Sequence, residues 1–491
     1  MNLKSLAKDT AIYGLSSIVG RFLNYLLVPL YTYKIAAESG GYGLVTNLYA
    51  YTAFFLALLT FGMETTLFRF SNKEGEDAGK VYGTTLRLVG GVALTFVVAV
   101  LAFLKPIAGA LGYSAHPEYV GCMAVIVGMD AFQAIMFSRL RLTHKPLKFM
   151  ALKFAFIIPN VLLNLFIFLV MPLLFDKMPA LRDLYVGMDY GVGLIFFVNL
   201  ICTSCVFLGF IPELKGLRCG FDKALARRLL TYTWPLLILS LLGILNNVAD
   251  KMLYPFLVPG KEGAVQLGIY GGCVKIAMIM SLLTQAFRYA YEPIVFNDSR
   301  GKSSPDTLAD GMKWFVIFGL LAFLAVMFYM PLLRHLISPS YWEGLRVIPI
   351  VMAAELFMGI YFNLSFWYKL SDQTWWGALL SGIGAAVMIA VNIIFVPRCG
   401  YMACAWGGFA GYGTAMLLSF LIGQRKHPVR YDLRTILTFA VIAGFYYYLY
   451  NLLSGAGVTS AVLIAAGTVL LLSYAYLVWR MIKPKKYEKP D

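Results

Sequence analysis

An all-α integral membrane fold with about fourteen transmembrane helices is predicted from three observations: the hydrophobicity of the chain, the spacing of its apolar runs, and the alternation of its basic residues. Of 491 residues, 60% are hydrophobic and 13% charged, against roughly 45–50% apolar and about 25% charged in a soluble domain. Mean hydropathy is +0.74. One globular core cannot hide that much apolar surface, so lipid must be the solvent for most of the chain. A spanning helix takes about 20 mostly apolar residues. Runs bounded by charge, Pro or Gly predict helices at 10–35, 42–68, 81–104, 118–138, 149–171, 185–211 and 229–256. The second half follows at 265–296, 312–333, 345–368, 374–396, 400–423, 434–452 and 457–481. The longest gaps, 211–228 and 297–311, leave no room for a soluble domain.

Orientation follows from Lys and Arg in alternate loops. With the N-terminus inside, 29 of the 41 basic residues fall on the cytoplasmic side, among them Arg139, Arg141, Lys148, Lys369 and Arg425. Nine fall outside, and three (Arg21, Lys275, Arg288) fall within helices. One missed span would invert every later loop, so the bias supports the helix count itself. Both termini are then expected in the cytoplasm. The first apolar run is too long for a cleaved signal and is interrupted by Arg21. Trp314, Trp375, Trp376 and Trp479 fall near helix ends, as an interfacial aromatic belt requires.

The net charge of +16 raises nucleic acid as a partner, but the basic residues are scattered between apolar runs and form no basic face. No nucleic-acid partner is expected. Seven cysteines, mostly in apolar segments, imply no disulfide framework, and the Cys202/Cys205 spacing reads as packing. Four dispersed histidines predict no metal site. No cofactor and no catalytic residue are expected.

The predicted helices divide into a six-helix bundle over 1–211, a cytoplasmic linker at 212–228, and a second six-helix bundle over 229–423. Two further helices and a basic tail fill 424–491. Weak internal similarity supports two related bundles: Tyr42-Gly43 precedes Glu64 as Tyr270-Gly271 precedes Glu292, by the same 22 residues, and Gly20/Asn24 matches Gly243/Asn247. With an even number of helices in each, the repeats share one orientation, an arrangement in which substrate sits between halves.

Polar groups inside spans are the functional candidates, because a charge at the bilayer centre costs roughly 2.5–3.5 kcal/mol on insertion scales. The first helix carries Ser17, Arg21 and Asn24 on one face, and the eighth carries Ser281, Gln285, Arg288 and Glu292. Arg21, Lys275 and Arg288, with Asn24 and Gln285, form the expected substrate-binding cationic cavity. Arginine's planar fork suits the oxygens of a pyrophosphate. Asp130, Asp250, Glu292 and Glu355 are the candidate carboxylates for coupling to H⁺ or Na⁺. Simpler readings stand beside these. Arg288 and Glu292 neutralise one another, Asp250 and Lys251 sit at an interface, Glu64 and Arg69 are interfacial, and the asparagines are interhelical glue.

A short basic N-terminus runs into Tyr13-Gly14-Leu15, Gly20-Arg21-Phe22-Leu23-Asn24 and Pro29-Leu30-Tyr31, followed by Tyr42-Gly43 and Gly62-Met63-Glu64 to Phe68-Arg69-Phe70. This pattern resembles the polysaccharide transporter branch, the Wzx-like O-antigen flippases, of the multidrug/oligosaccharidyl-lipid/polysaccharide (MOP) superfamily. The resemblance implies a V-shaped pair of six-helix bundles working by alternating access in the bacterial inner membrane. It implies a monomer whose partners are membrane lipids and an undecaprenyl-pyrophosphate-linked anionic oligosaccharide (an O-antigen, capsule or exopolysaccharide repeat unit). Arg21 falls where such flippases carry a basic residue. A lipid II flippase shares this plan. A cation-coupled multidrug exporter fits less well, since cationic drugs favour an acidic cavity. A membrane glycosyltransferase or ligase needs water-exposed catalytic carboxylates or a sizeable outer loop, and Glu74, Glu76 and Asp77 lie in a short cytoplasmic one.

Overall fold

In lipid, every backbone amide must be bonded within its own segment, which favours helices over open strands. The computed structural model describes residues 19, 20, 23, 25–298, 305–371 and 373–482, and no strand occurs among them. Thirteen helices among the described residues are long and apolar enough to cross a membrane. The first predicted helix is described only toward its end, as α1 (Leu27–Lys34). It is followed by α2 (Gly41–Ser71), α3 (Ala78–Ala102), α4 (Pro117–Leu142), α5 (Pro146–Leu174), α6 (Val192–Gly209) and α7 (Lys223–Leu257). Then come α8 (Lys261–Asp298), α9 (Pro305–Phe328), α10 (Pro339–Leu370), α11 (Trp375–Cys399), α12 (Tyr401–Lys426), α13 (Leu433–Gly455) and α14 (Ser460–Ile482).

The chain forms two compact units, Met1–Gly271 and Gly272–Asp491, divided within α8. In the first unit α4 packs against α2 and α3, α5 against α6, and α7 along α2. In the second, α12 packs against α10 and α11, while α13 and α14 both pack against α9. Helix association in lipid depends on close backbone approach through small residues. The α11–α12 contact shows this: a Cβ on Gly411 would lie 2.7 Å from the Gly384 carbonyl oxygen, and one on Gly384 would lie 2.8 Å from that of Gly411.

Two local features depart from the uninterrupted runs expected. α2 breaks at Phe61-Gly62, both left-handed at φ 32° and 73°, and resumes at Met63. Glu64 therefore opens a fresh helical turn, where unsatisfied N–H groups favour a carboxylate. The helix expected over 185–211 begins only at Val192, because Asp189, Tyr190 and Gly191 hold φ of 49°, 53° and 90°. Residues Pro179–Gly187 form a separate short helix. The first break interrupts no apolar run, and the second carries only the single charge of Asp189, so an apolar-run reading passes over both.

The 211–228 segment is helical and anchored. Ile211–Cys219 forms 3₁₀ turns, Lys148 Nζ pairs with Glu213 at 2.7 Å, and Arg87 donates to the Leu217 carbonyl. Asp222 caps α7, accepting from Ala224 N–H at 2.8 Å and Leu225 N–H at 3.0 Å. Those bonds hold its carboxyl below the usual carboxylate range, helped by Arg228 and Lys80. The cap thus stabilises α7 at neutral pH, and that contribution is lost as pH falls through the lowered value.

The Tyr-Gly motifs have a steric cause. A Cβ on Gly43 would lie 1.9 Å from the Ala264 carbonyl oxygen, and one on Gly271 would lie 2.4 Å from the Thr46 hydroxyl. The start of α2 thus crosses α8 through glycines from both motifs. Backbone cannot yield as a side-chain tip can. Gly43→Val should lower stability in detergent by about 1–3 kcal/mol, the usual cost of overpacking, seen as a lower midpoint in a thermal-unfolding scan.

Candidate functional site

The polar stripe of α8 forms the principal charged site of the second unit. Arg288 Nε lies 3.5 Å from Glu292 Oε1, and Lys369 Nζ, from the end of α10, lies 3.8 Å from the same oxygen. The Arg288 guanidinium stands 4.8 Å from the centre of the Phe362 ring. Lys369 is 4.3 Å from that ring and 5.2 Å from Phe366. Two cations therefore share one carboxylate over an aromatic floor, leaving one positive charge in excess. The Arg288 side chain is 53% exposed, so its donors are open to an incoming anion. Mutual neutralisation accounts for Arg288 and Glu292 only until Lys369 is counted. Lys275 and Gln285 are half-buried on the same helix and engaged with neighbours.

On α7, in the first unit, Asp250 is buried at 6% exposure. Lys251 Nζ reaches its two oxygens at 2.9 and 3.0 Å, and the Tyr270 hydroxyl donates to it at 2.8 Å. Lys251 also donates to the Asn247 carbonyl at 3.0 Å. The Lys251 carbonyl in turn accepts from Asn47 Nδ2 at 2.7 Å, and Tyr113 donates to Asn47 Oδ1 at 2.8 Å. α7 is thereby tied to α2 through a satisfied network, the condition under which a buried pair is tolerated.

Asp130 is half-buried on α4, within electrostatic reach of Lys153 and bonded to Thr203. Around it Gln133 donates to the Thr203 carbonyl at 3.0 Å, and Asn199 donates to the Tyr49 hydroxyl at 2.8 Å. Asn199 thus joins α6 to α2, whereas Asn164, Asn246 and Asn363 each donate to the carbonyl four residues back in their own helix. Glu355 is half-buried on α10 and engaged with neighbours. Arg21 and Asn24 lie outside the described residues. Among the described residues no group of three or more His, Cys, Asp or Glu side chains is placed to hold a metal ion.

One site escapes a reading based on loops and spans. Below the α2 break, Glu64 Oε2 accepts from Arg141 at 2.9 Å and from Ser138 at 3.0 Å, both on α4. Beside them opens a cavity of ≈ 350 Å³. Loop counting assigns Arg141 and Lys369 to the cytoplasmic connections, yet both reach back to carboxylates on neighbouring helices. The signal that could have found them is their equal spacing within the repeat.

The family model for polysaccharide biosynthesis proteins matches residues 6–293. No individual curated protein matches by sequence. Among solved structures, the lipid II flippase MurJ in an inward closed conformation superposes with a TM-score of 0.71 at 14% identity. That match covers 96% of this chain and 99% of MurJ. An inward-facing MATE multidrug transporter of the MOP superfamily gives 0.65 at 13% identity, over 85% of this chain and 97% of its own. The MATE multidrug transporter DinF-BH gives 0.58 at 17%, over 86% and 96%. The fold is thus that of MOP transporters, and the protein is a multi-pass membrane protein.

The Asp250–Lys251 pair yields a directional test. Removing one partner strands a buried charge, which costs roughly 3–5 kcal/mol, whereas replacing both is far milder. Lys251→Ala should lower the unfolding midpoint sharply in detergent, and Asp250→Asn combined with Lys251→Gln should recover most of it.

Proposed function

The chain belongs to the polysaccharide biosynthesis protein family, and from that premise we propose that it is a flippase for an undecaprenyl-pyrophosphate-linked oligosaccharide. It turns this cargo from the inner to the outer leaflet of a bacterial cytoplasmic membrane by alternating access, moving it without chemical change. The supporting observation is the excess positive charge around Glu292: a site with two cations to one carboxylate, at the ends of candidate spans, suits an anion and repels the cationic substrates of a drug exporter. Arginine presents parallel N–H donors matched to phosphate oxygens. Arg288 is the principal contact, with Lys275, Gln285, Arg21 and Asn24 completing the cationic cavity.

Residues 1–211 and 229–423 act as the two six-helix bundles, linked by 212–228, with 424–491 appended and both termini cytoplasmic. The 29-to-nine distribution of basic residues supports that orientation. Asp130, Asp250, Glu292 and Glu355 are the carboxylates through which H⁺ or Na⁺ would drive the cycle.

A second reading, flipping of lipid II, is favoured by the superposition on MurJ over nearly the full length of both chains. It shares the pyrophosphate and differs in the sugar. In cells whose glycan export depends on this protein, Arg288→Ala and Arg21→Ala should each cut export about tenfold or more. A lost charge-assisted hydrogen bond removes roughly 1.5–3 kcal/mol, and about 1.4 kcal/mol is a factor of ten. Lipid-linked oligosaccharide should accumulate facing the cytoplasm, measured by protection from an added periplasmic glycosidase. Undiminished export in both variants would sink the cationic-cavity reading, and accumulation of lipid II would select the second one.

A further inference from the structure

Four residue pairs repeat at one interval. Tyr42 and Tyr270, Glu64 and Glu292, Tyr113 and Tyr341, and Arg141 and Lys369 are each separated by 228 positions. The carboxylate–cation contact repeats as well, while the two tyrosines tie the same helix pairs through different groups. In the first unit Glu64 of α2 pairs with Arg141 of α4 at 2.9 Å. In the second, Glu292 of α8 pairs with Lys369 of α10 at 3.8 Å. Tyr113, buried just before α4, bonds Asn47 of α2, and Tyr341, in the first turns of α10, accepts at its carbonyl from Cys273 of α8. The pairs α2/α4 and α8/α10 are therefore equivalent, and each carries a carboxylate–cation pair at one position.

Their difference is informative. Arg288 adds a second cation to the Glu292 pair, and Thr60 stands at its counterpart position in the first repeat. One site has a positive charge in excess; the other is neutral. The neutral one opens onto the ≈ 350 Å³ cavity lined by Thr60, Glu64, Thr65, Phe68, Arg141 and Ser240. That volume lies at the small end of the roughly 300–1,000 Å³ typical of ligand pockets.

We propose that this cavity in the first unit is a sugar-binding site, the neutral counterpart of the cationic site around Glu292. The inference rests on the lipid-linked oligosaccharide reading and assigns part of the glycan to it. A sugar offers hydroxyls that both donate and accept, and a carboxylate beside a guanidinium answers both roles with no net charge. Ser138 and Arg141 both bond Glu64 Oε2, which leaves Oε1 for an incoming hydroxyl. Thr65 and Ser240 add exposed hydroxyls. Phe68, which lies 5.1 Å from the Arg141 guanidinium, supplies the apolar face against which a pyranose ring packs its C–H groups. A phosphate suits the cavity less, because Glu64 would repel it.

The test uses the full-length protein in lipid nanodiscs and two probes: undecaprenyl pyrophosphate, and the same lipid carrying the host's own oligosaccharide. Glu64→Gln and Arg141→Gln should each weaken binding of the sugar-bearing lipid about tenfold and leave the bare lipid within about twofold. Arg288→Gln should weaken both. Ser240→Val, an exposed change that cannot disturb the ion pair, should reproduce the sugar-selective loss at smaller size. Equal weakening of both lipids by Glu64→Gln and Arg141→Gln, or of neither, overturns the sugar site. So does recovery of wild-type affinity in the Glu64→Gln/Arg141→Gln double variant, which marks a purely structural pair. If Arg288→Gln changes neither lipid while the sugar-selective loss persists, the cationic-cavity reading fails and the sugar site stands.

Discussion

The cost of leaving a polar group unpaired in hydrocarbon governs this molecule. It is why the described chain is built from helices, and it then determines where each intramembrane charge sits. Asp250 is buried with Lys251 and Tyr270 around it. Glu64 is met by Arg141 and Ser138, and Glu292 by Arg288 and Lys369. Each acidic group would be expensive alone. Paired, each becomes a fixed feature between two helices, and only the pairs with open sides remain available to a ligand.

Openness separates the three. Asp250 retains 7% side-chain exposure and Lys251 19%, and the pair's hydrogen bonds are spent on Tyr270 and on a neighbouring backbone carbonyl. Such a pair ties α7 into its unit. Glu64 and Arg141 retain 41% and 37%, and Arg288 retains 53%. Their donors and acceptors are half used, and these are the pairs to which the proposed cargo contacts are assigned.

Helix number and the α8 stripe are legible in the sequence because they depend on local quantities, hydropathy and a 3.6-residue period. Arg288 and Glu292 are four apart, and their contact follows from the helix alone. The partnership of Lys369 with Glu292 is not local. Lys369 ends its helix, so a count of loop charges places it outside the span, and only the packing of α10 on α8 returns it. Glu64 reads as interfacial from the sequence for a similar reason. The break at Phe61-Gly62 interrupts no apolar run, and a left-handed phenylalanine gives no compositional warning. Arg21, the cation best supported by the sequence, lies outside the described residues, so the proposed cationic site is argued from Arg288 and Lys369.

Repetition supplies the last step. Two helix pairs that carry the same residues at one offset can be compared position by position. Here the carboxylate, the cation and the tyrosine persist at one offset, so the shared scaffold is the α2/α4 packing and its α8/α10 counterpart. What has diverged is the residue one turn before the carboxylate: threonine at 60, arginine at 288. That single position sets the net charge of each site, while Lys275 stands where the first repeat has Asn47. Both differences add positive charge to the second repeat. The proposed cargo, with a charged end and a hydroxyl-rich end, matches that asymmetry, and a uniformly charged cargo does not.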